Sequence, residues 1–347
     1  MKVIISHNQY NLIKESYRNE GVNAIIKYWK KELKKGNEIR FDRDELEYWG
    51  ITEFTDKVDA RTAFQELVGD EVFTKKDLQT AKNTKAGSLI FKKVITGQDS
   101  GISARVIVVM TPKLVEELKS SKNLSLGTDY QVIELFPGYP GVPETWIGAL
   151  KGLDAMEKME KEKKIPPTVA IIPSINVVPG LDTECLNIPG TSDVETWLTN
   201  DMKTFAQRFI GIDDRKWSAF GYSTGGWCAA EIGIRHQDQY SSAVSLAGYF
   251  SPTFSAGITS SERAVLRKEY DLVATLHSQP NSLQMLAIYS HQNDFESKSL
   301  FTFQKKVNDV LALKTVEIPE GGHNIKTWQP YVYTGFEWIA GLGQLTN

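Results

Sequence analysis

Cysteine is scarce in this chain of 347 residues, which holds two, Cys185 and Cys228. Two cysteines permit one disulfide and exclude a cysteine-built structural zinc cage. Histidine is also rare, with five in all, so imidazole chemistry has few places to occur. No stretch reaches the roughly 18 continuous apolar residues of a membrane-spanning helix. The net charge is only −3, too even a balance to point to nucleic acid or an anionic membrane as partner. The opening residues, Met1 to Tyr10, have too short an apolar core for a secretion signal and lack a small-residue cleavage site. On these grounds a cytoplasmic protein is expected, with both cysteines reduced and buried. What remains is ordinary globular material, 41% hydrophobic and 24% charged, long enough for one large α/β domain with an appendage.

The chain changes texture near residue 86. Before that point, Ile25, Ile26, Trp29 and Leu33 recur at helical spacing among lysines, and Gly36-Asn37 stops the pattern. Asp59 to Val68 reads as a second short helix ended by Gly69, and Lys75 to Lys85 as a polar linker. Residues 1–86 thus form a small, mainly helical appendage with no catalytic constellation. Its basic helical face is either solvated or a docking face for a protein partner. From residue 87 to 347, short apolar runs alternate with helical patterns. Ser88–Ile95 and Ser103–Met110 suggest an antiparallel opening pair. Strands follow at Gln131–Phe136, Thr168–Pro173, Trp217–Phe220, Ala243–Ala247, Gln284–Tyr289 and Lys314–Ile318. Helices are expected from Trp146 to about Lys163, from Ser192 or Asp193 to Gly211, from Ser261 to about His277, over Ser297–Leu311, and at the end of the chain. That alternation predicts an α/β domain with a doubly wound, mostly parallel sheet. In such sheets the chemistry gathers beyond the carboxyl ends of the strands.

One of those ends carries Gly221-Tyr222-Ser223-Thr224-Gly225-Gly226 between an apolar strand and a helical run. Gly-x-Ser-x-Gly in that setting is the pattern of a nucleophile elbow, where a tight turn lifts a serine off the sheet. A serine hydroxyl becomes a useful nucleophile when a histidine takes its proton and a carboxylate orients that histidine. His323, in Glu320-Gly321-Gly322-His323-Asn324 directly after the last strand, is the histidine on a carboxyl-edge loop. His7 lies in the appendage, while His236 and His277 end helices. His291 follows an earlier strand and would leave no acid between itself and Ser223. The acid is expected after the strand ending at Tyr289, where Asp294 comes first and has the shorter side chain; Glu296 is assigned to the start of the next helix. The oxyanion needs two backbone N–H donors. The amide of Thr224 supplies one, and the amide of Tyr139, between the donor-less Pro137 and Pro140, supplies the other, with Gly138 as the alternative.

Four blocks carry a family resemblance: Phe136 to Gly141, Asp182-Thr183-Glu184-Cys185 with Thr196-Trp197-Leu198-Thr199, Gly221 to Ala230, and Gly321 to Asn324. With them, the stretch from about residue 88 onward resembles the putative-esterase family of α/β-hydrolases, which includes the esterase D type and actinobacterial mycolyltransferases. It is most similar to the actinobacterial esterase-like members. The resemblance implies an α/β-hydrolase fold and a serine esterase working through Ser223, Asp294 and His323, without metal or cofactor, on a small acyl ester or thioester. It also implies the alternative of an acyltransferase passing the acyl group to a sugar or other alcohol. A third reading is an inactive hydrolase-fold module. Many relatives have a histidine where this chain has Pro137, and relatives are often exported, so export stands beside the cytoplasmic reading. Cys185 and Cys228 both fall near the strand tips, where a disulfide would brace the site. Asp182, Trp146 and Tyr249 are candidates for substrate binding, with loop or core packing as the alternative for each.

Overall fold

The computed structural model describes residues 81–121, 126, 128–254, 257–290 and 295–344. The appendage up to residue 80, with His7, lies outside the described residues, as do His291 and Asp294.

The described chain enters a nine-stranded sheet through β1 (Lys82–Asn83), which pairs antiparallel with the start of β2 (Leu89–Thr96). The sheet is therefore joined a few residues before the expected boundary at 87, inside what reads as linker. Strand β3 (Ser103–Met110) follows, then helix α1 (Pro112–Ser120), then β4 (Gln131–Phe136). Helix α1 went unread in the sequence although Thr111-Pro112 opens it, proline being tolerated in the first helical turn. Next come α2 (Glu144–Ile147), α3 (Gly152–Lys161) and β5 (Thr168–Pro173). The single helix expected from Trp146 to Lys163 is thus two, separated where Lys151 adopts a left-handed φ of 52°. A small hairpin, β6 (Asn187–Ile188) and β7 (Ser192–Asp193), leads into α4, a run over 194–210 that holds two π-helical turns and ends at Gly211 with φ 75°.

Strand β8 (Trp217–Tyr222) and α5 (Thr224–Arg235) flank the elbow, and β9 (Tyr240–Leu246) follows. The helix expected to start at Ser261 is also two, α6 (Ser260–Glu269) and α7 (Leu272–Ser278). Thr259 and Glu262 form a capping box on the first, and Asp271 caps the second by accepting from the amides of Val273 and Ala274. The chain continues through β10 (Gln284–Ser290), α8 (Phe295–Val307), β11 (Ala312–Ile318), the short α9 (Ile325–Trp328) and α10 (Val332–Gln344).

The order across the sheet is β1-β2-β3-β5-β4-β8-β9-β10-β11. From β5 through β11 every neighbouring pair is parallel. Successive side chains of a strand point to opposite faces. Phe220 meets Phe336 of α10, with ring centroids 5.3 Å apart, whereas a Cβ on its neighbour Gly221 would lie 1.8 Å from the carbonyl oxygen of Gly225 in α5. Helices α5 and α10 therefore cover opposite faces, and the sheet is doubly wound as expected. On the α10 side Trp146, fully buried, stands edge-on to Phe220 at 4.9 Å and to Tyr222 at 5.6 Å. Register aligns Phe136 with Gly221, Tyr222 with Leu246, and Ser290 with Ile318. The loops after β4, β8, β9, β10 and β11 consequently leave the same edge of the sheet.

Candidate active site

Ser223 sits between β8 and α5 with φ 56° and ψ −125°, a conformation few non-glycine residues adopt. Its neighbours make that turn feasible. Gly221 allows the carbonyl of Gly225 to press against the strand. A Cβ on Gly225 would fall 2.3 Å from the carbonyl oxygen of Phe136 in β4. The Ser223 amide donates to the carbonyl of Leu246 at 2.9 Å, and the Ser223 carbonyl accepts from Gly226 N at 2.8 Å. Strands on both sides and the helix behind thus hold the strained residue.

Ser223 Oγ lies 2.8 Å from His323 Nε2. Gly321, at φ 114°, lets the loop after β11 turn inward, and a Cβ there would lie 2.4 Å from Thr327 Oγ1. Asn324 caps α9 by accepting from Thr327 N, and the imidazole meets the Trp328 ring edge to face at 4.5 Å. On the other side of the ring, Nδ1 is 3.1 Å from Glu296 Oε1. Glu296 stands in the first turn of α8, as expected, and from there its carboxylate also reaches the imidazole. A carboxylate is an acceptor, so it selects the tautomer with the proton on Nδ1 and leaves Nε2 to accept from the serine hydroxyl. The remaining described histidines are engaged elsewhere: His236 Nε2 with Glu195 at 2.7 Å, and His277 Nε2 with the carbonyl of Lys306 at 3.0 Å.

The loop after β4 abuts Ser223, since a Cβ on Gly138 would sit 3.1 Å from Ser223 Cβ. Its tight form comes from a Gly141 N–H donating to the Gly138 carbonyl at 2.8 Å. Asn176, three residues past β5, clamps the loop by donating to the carbonyls of Gly138 (3.1 Å) and Gly141 (2.6 Å). Asn176 was not singled out in the sequence. Its position just beyond the carboxyl end of β5 is the signal that could have found it. Tyr139 is partly exposed in this loop.

Thr224, buried at the start of α5, donates its hydroxyl to Asp182 Oδ2 at 2.9 Å. Burial, with the charge of Glu184 adding to it, pushes the Asp182 carboxyl up to about 6. Two further candidates for substrate contact are buried. Trp146 belongs to the core on the α10 side, with no exposed surface. Tyr249 is 7% exposed, stacked on Trp227 with ring centroids 5.7 Å apart, and donates its hydroxyl to Glu184. Both rings are packed against neighbouring aromatic side chains, Trp146 against Phe220 and Tyr222, and Tyr249 against Trp227. The expectation of reduced cysteines is overturned. Cys185 and Cys228 form a disulfide with a Cα separation of 5.6 Å, both fully buried, tying the loop after β5 to α5. The topology brings them together across 43 residues of sequence.

Residues 122–336 match the family model described as Putative esterase. A protein of Corynebacterium glutamicum, described as uncharacterized, is 23% identical over 230 residues, covering 62% of this chain and 53% of that protein. The match therefore spans about half the length of that relative. Among solved structures, a ferulic acid esterase is similar with a TM-score of 0.58 and 17% identity, over 73% of this chain and 98% of that one. S-formylglutathione hydrolase from Agrobacterium tumefaciens gives 0.56 and 13%, over 76% and 98%. MPT51 from Mycobacterium tuberculosis gives 0.52 and 13%, over 72% and 98%. At such identities the likeness is one of fold, that of the α/β-hydrolases.

Proposed function

We propose a serine-esterase mechanism for this chain, which belongs to the Putative esterase family and is by that membership a hydrolytic enzyme. The observation that carries the mechanism is the line Ser223 Oγ, His323 Nε2, His323 Nδ1, Glu296 Oε1, with steps of 2.8 and 3.1 Å on either side of the ring. Ser223 Oγ attacks the carbonyl carbon of a carboxylic ester or thioester while His323 Nε2 takes its proton. Glu296, hydrogen-bonded to Nδ1, stabilises the imidazolium. The developing oxyanion is received by the amides of Thr224 and Tyr139, with the amino end of the twelve-residue helix α5 adding a favourable dipole. Collapse of the tetrahedral intermediate expels the alcohol or thiol, which leaves with the proton from His323. Water then attacks the acyl group on Ser223 by the same route in reverse roles.

Glu296 is assigned here the role expected of Asp294, which lies outside the described residues, on the strength of its 3.1 Å approach to His323 Nδ1. The Cys185–Cys228 disulfide supports an oxidising compartment for the enzyme, against the cytoplasmic expectation.

A fluorophosphonate probe tests the reading. It is expected to label the wild-type protein on Ser223 and to leave Ser223→Ala unlabelled; folded wild-type protein that takes no label overturns it. A panel of p-nitrophenyl esters of rising acyl length, with and without an added alcohol or sugar, then reports whether hydrolysis or transfer dominates.

A further inference from the structure

The carboxyl edge of the sheet also holds a pair of carboxylates that the relay does not use, Asp182 and Glu184, in the loop after β5. The turn they occupy is unusual. Glu184 and Cys185 are consecutive non-glycine residues in the left-handed region, with φ 50° and 62°. It is fastened from two sides. On the α5 side, Cys185 is bonded to Cys228 and the Glu184 carbonyl accepts from Trp227 Nε1 at 2.8 Å. On the other, the Glu184 carboxylate, 1% exposed, accepts from Thr253 N (2.9 Å), Thr253 Oγ1 (2.6 Å), Phe254 N (2.7 Å) and the Tyr249 hydroxyl. The fastened turn holds one carboxylate in place: Asp182 accepts from Glu184 N through Oδ1 at 3.0 Å and presents Oδ2 to Thr224 Oγ1 at 2.9 Å.

We propose that Asp182 is a positioning residue for acyl transfer, fixing the Thr224 amide at the oxyanion through the Thr224 hydroxyl and tuning that amide by its own ionisation. The inference rests on the reading above that Thr224 N–H is an oxyanion donor. Thr224 follows the strained nucleophile and starts the helix, so its side-chain anchor limits how far the first peptide of α5 can turn. A donor worth a hundredfold or more in rate needs that constancy of direction. The carboxylate also brings a charge. When ionised, it stands one threonine side chain away from the developing oxyanion and repels it. Among the described residues, the titratable groups facing it include Glu184 on its own turn and Tyr249 on the segment after β9, with the Thr224 hydroxyl on α5. Burial and the Glu184 charge hold its pKa up to about 6, so the charge appears across neutral pH.

The test compares Asp182→Asn, which keeps an acceptor for Thr224 and loses the charge, with Asp182→Ala, which loses both, and with Thr224→Val. Asp182→Asn is expected to equal or exceed wild-type kcat at pH 8 by up to about tenfold, the scale of one partly screened charge at this range. Asp182→Ala and Thr224→Val are expected to fall at least about tenfold below Asp182→Asn at every pH, with KM changed less than about twofold. The ionisation near 6 should vanish from the kcat profile of both Asp182 variants. Equal kcat and unchanged profiles in all variants would overturn the proposal, as would a change confined to KM, which marks a substrate contact. A second measurement needs no turnover. In 15N-threonine-labelled protein carrying His323→Asn, the Thr224 amide resonance should titrate with a midpoint near 6 and stop doing so when Asp182→Asn is added. A resonance that does not titrate overturns the inference, whereas inactive wild-type protein with a titrating Thr224 overturns only the esterase reading.

Discussion

Asp294 and Glu296 stand two residues apart after β10, and the proposed mechanism needs one carboxylate to orient His323. With Glu296 Oε1 3.1 Å from Nδ1, Glu296→Gln is expected to lower kcat by about 10³ to 10⁴, as when a triad carboxylate is replaced by its amide. Asp294→Asn should stay within a few-fold of wild type, and the reverse result in ester kinetics would return the role to Asp294. Ser223 and His323 were readable from their motifs because each lies directly beside a strand end. The reach of Glu296 to His323 was harder to read, since counting residues along a loop does not say where a helix starts or how far a longer side chain extends. Trp146 makes the opposite point. Its truncation to alanine should cost about 3–5 kcal/mol of stability in chemical denaturation, the range for a buried aromatic, rather than a change in substrate affinity. Asp182 has a stability signature of its own. A carboxyl raised to about 6 contributes fully at pH below its unfolded value near 4 and progressively less as pH rises through 6. Asp182→Asn should therefore be the more stable protein at pH 8, by at most about 3 kcal/mol, with the difference shrinking toward pH 4 in urea melts.

Between β8 and α5 the turn works only because two helix and strand backbones meet without side chains between them. A Cβ at position 225 would overlap the carbonyls of both Phe136 and Pro137, at 2.3 and 2.4 Å, and backbone cannot yield as a side chain can. Gly225→Ala should cost more than about 3 kcal/mol or abolish folding, seen as a lowered melting temperature or insoluble protein. The elements themselves were largely readable: β3, β4 and β5 carry the bounds their apolar runs imply. The misreadings came where helical periodicity continued across a break. The stretch from 144 to 161 is divided at Lys151, and that from 260 to 278 at Tyr270-Asp271, where an aspartate caps a new helix instead of extending the old one. Apolar spacing reports which face is buried, and it stays in phase across a short interruption.

At the scale of the whole domain, a disulfide between residues 43 apart joins the loop after β5 to the helix behind the nucleophile. Closing a loop of that length is worth about 2–4 kcal/mol, so Cys185→Ala with Cys228→Ala should melt roughly 5–10 °C lower by calorimetry. Protein denatured without reductant should resist alkylation at both positions, and alkylation of native-source protein at both would instead support a reducing compartment. Among the described residues no helix is long and apolar enough to cross a membrane.

The sequence alone determined the strand-helix alternation, the tight turn at Ser223 and the loop that carries His323, because each depends on residues that are neighbours in the chain. That Glu296 reaches His323, whether Cys185 and Cys228 meet, that Trp146 is core, and that Asp182 accepts from Thr224 were decided by the fold. Those are contacts between loops brought to one sheet edge by the order β5-β4-β8-β9-β10-β11, and their distances depend on strand register and helix starts that local pattern does not encode.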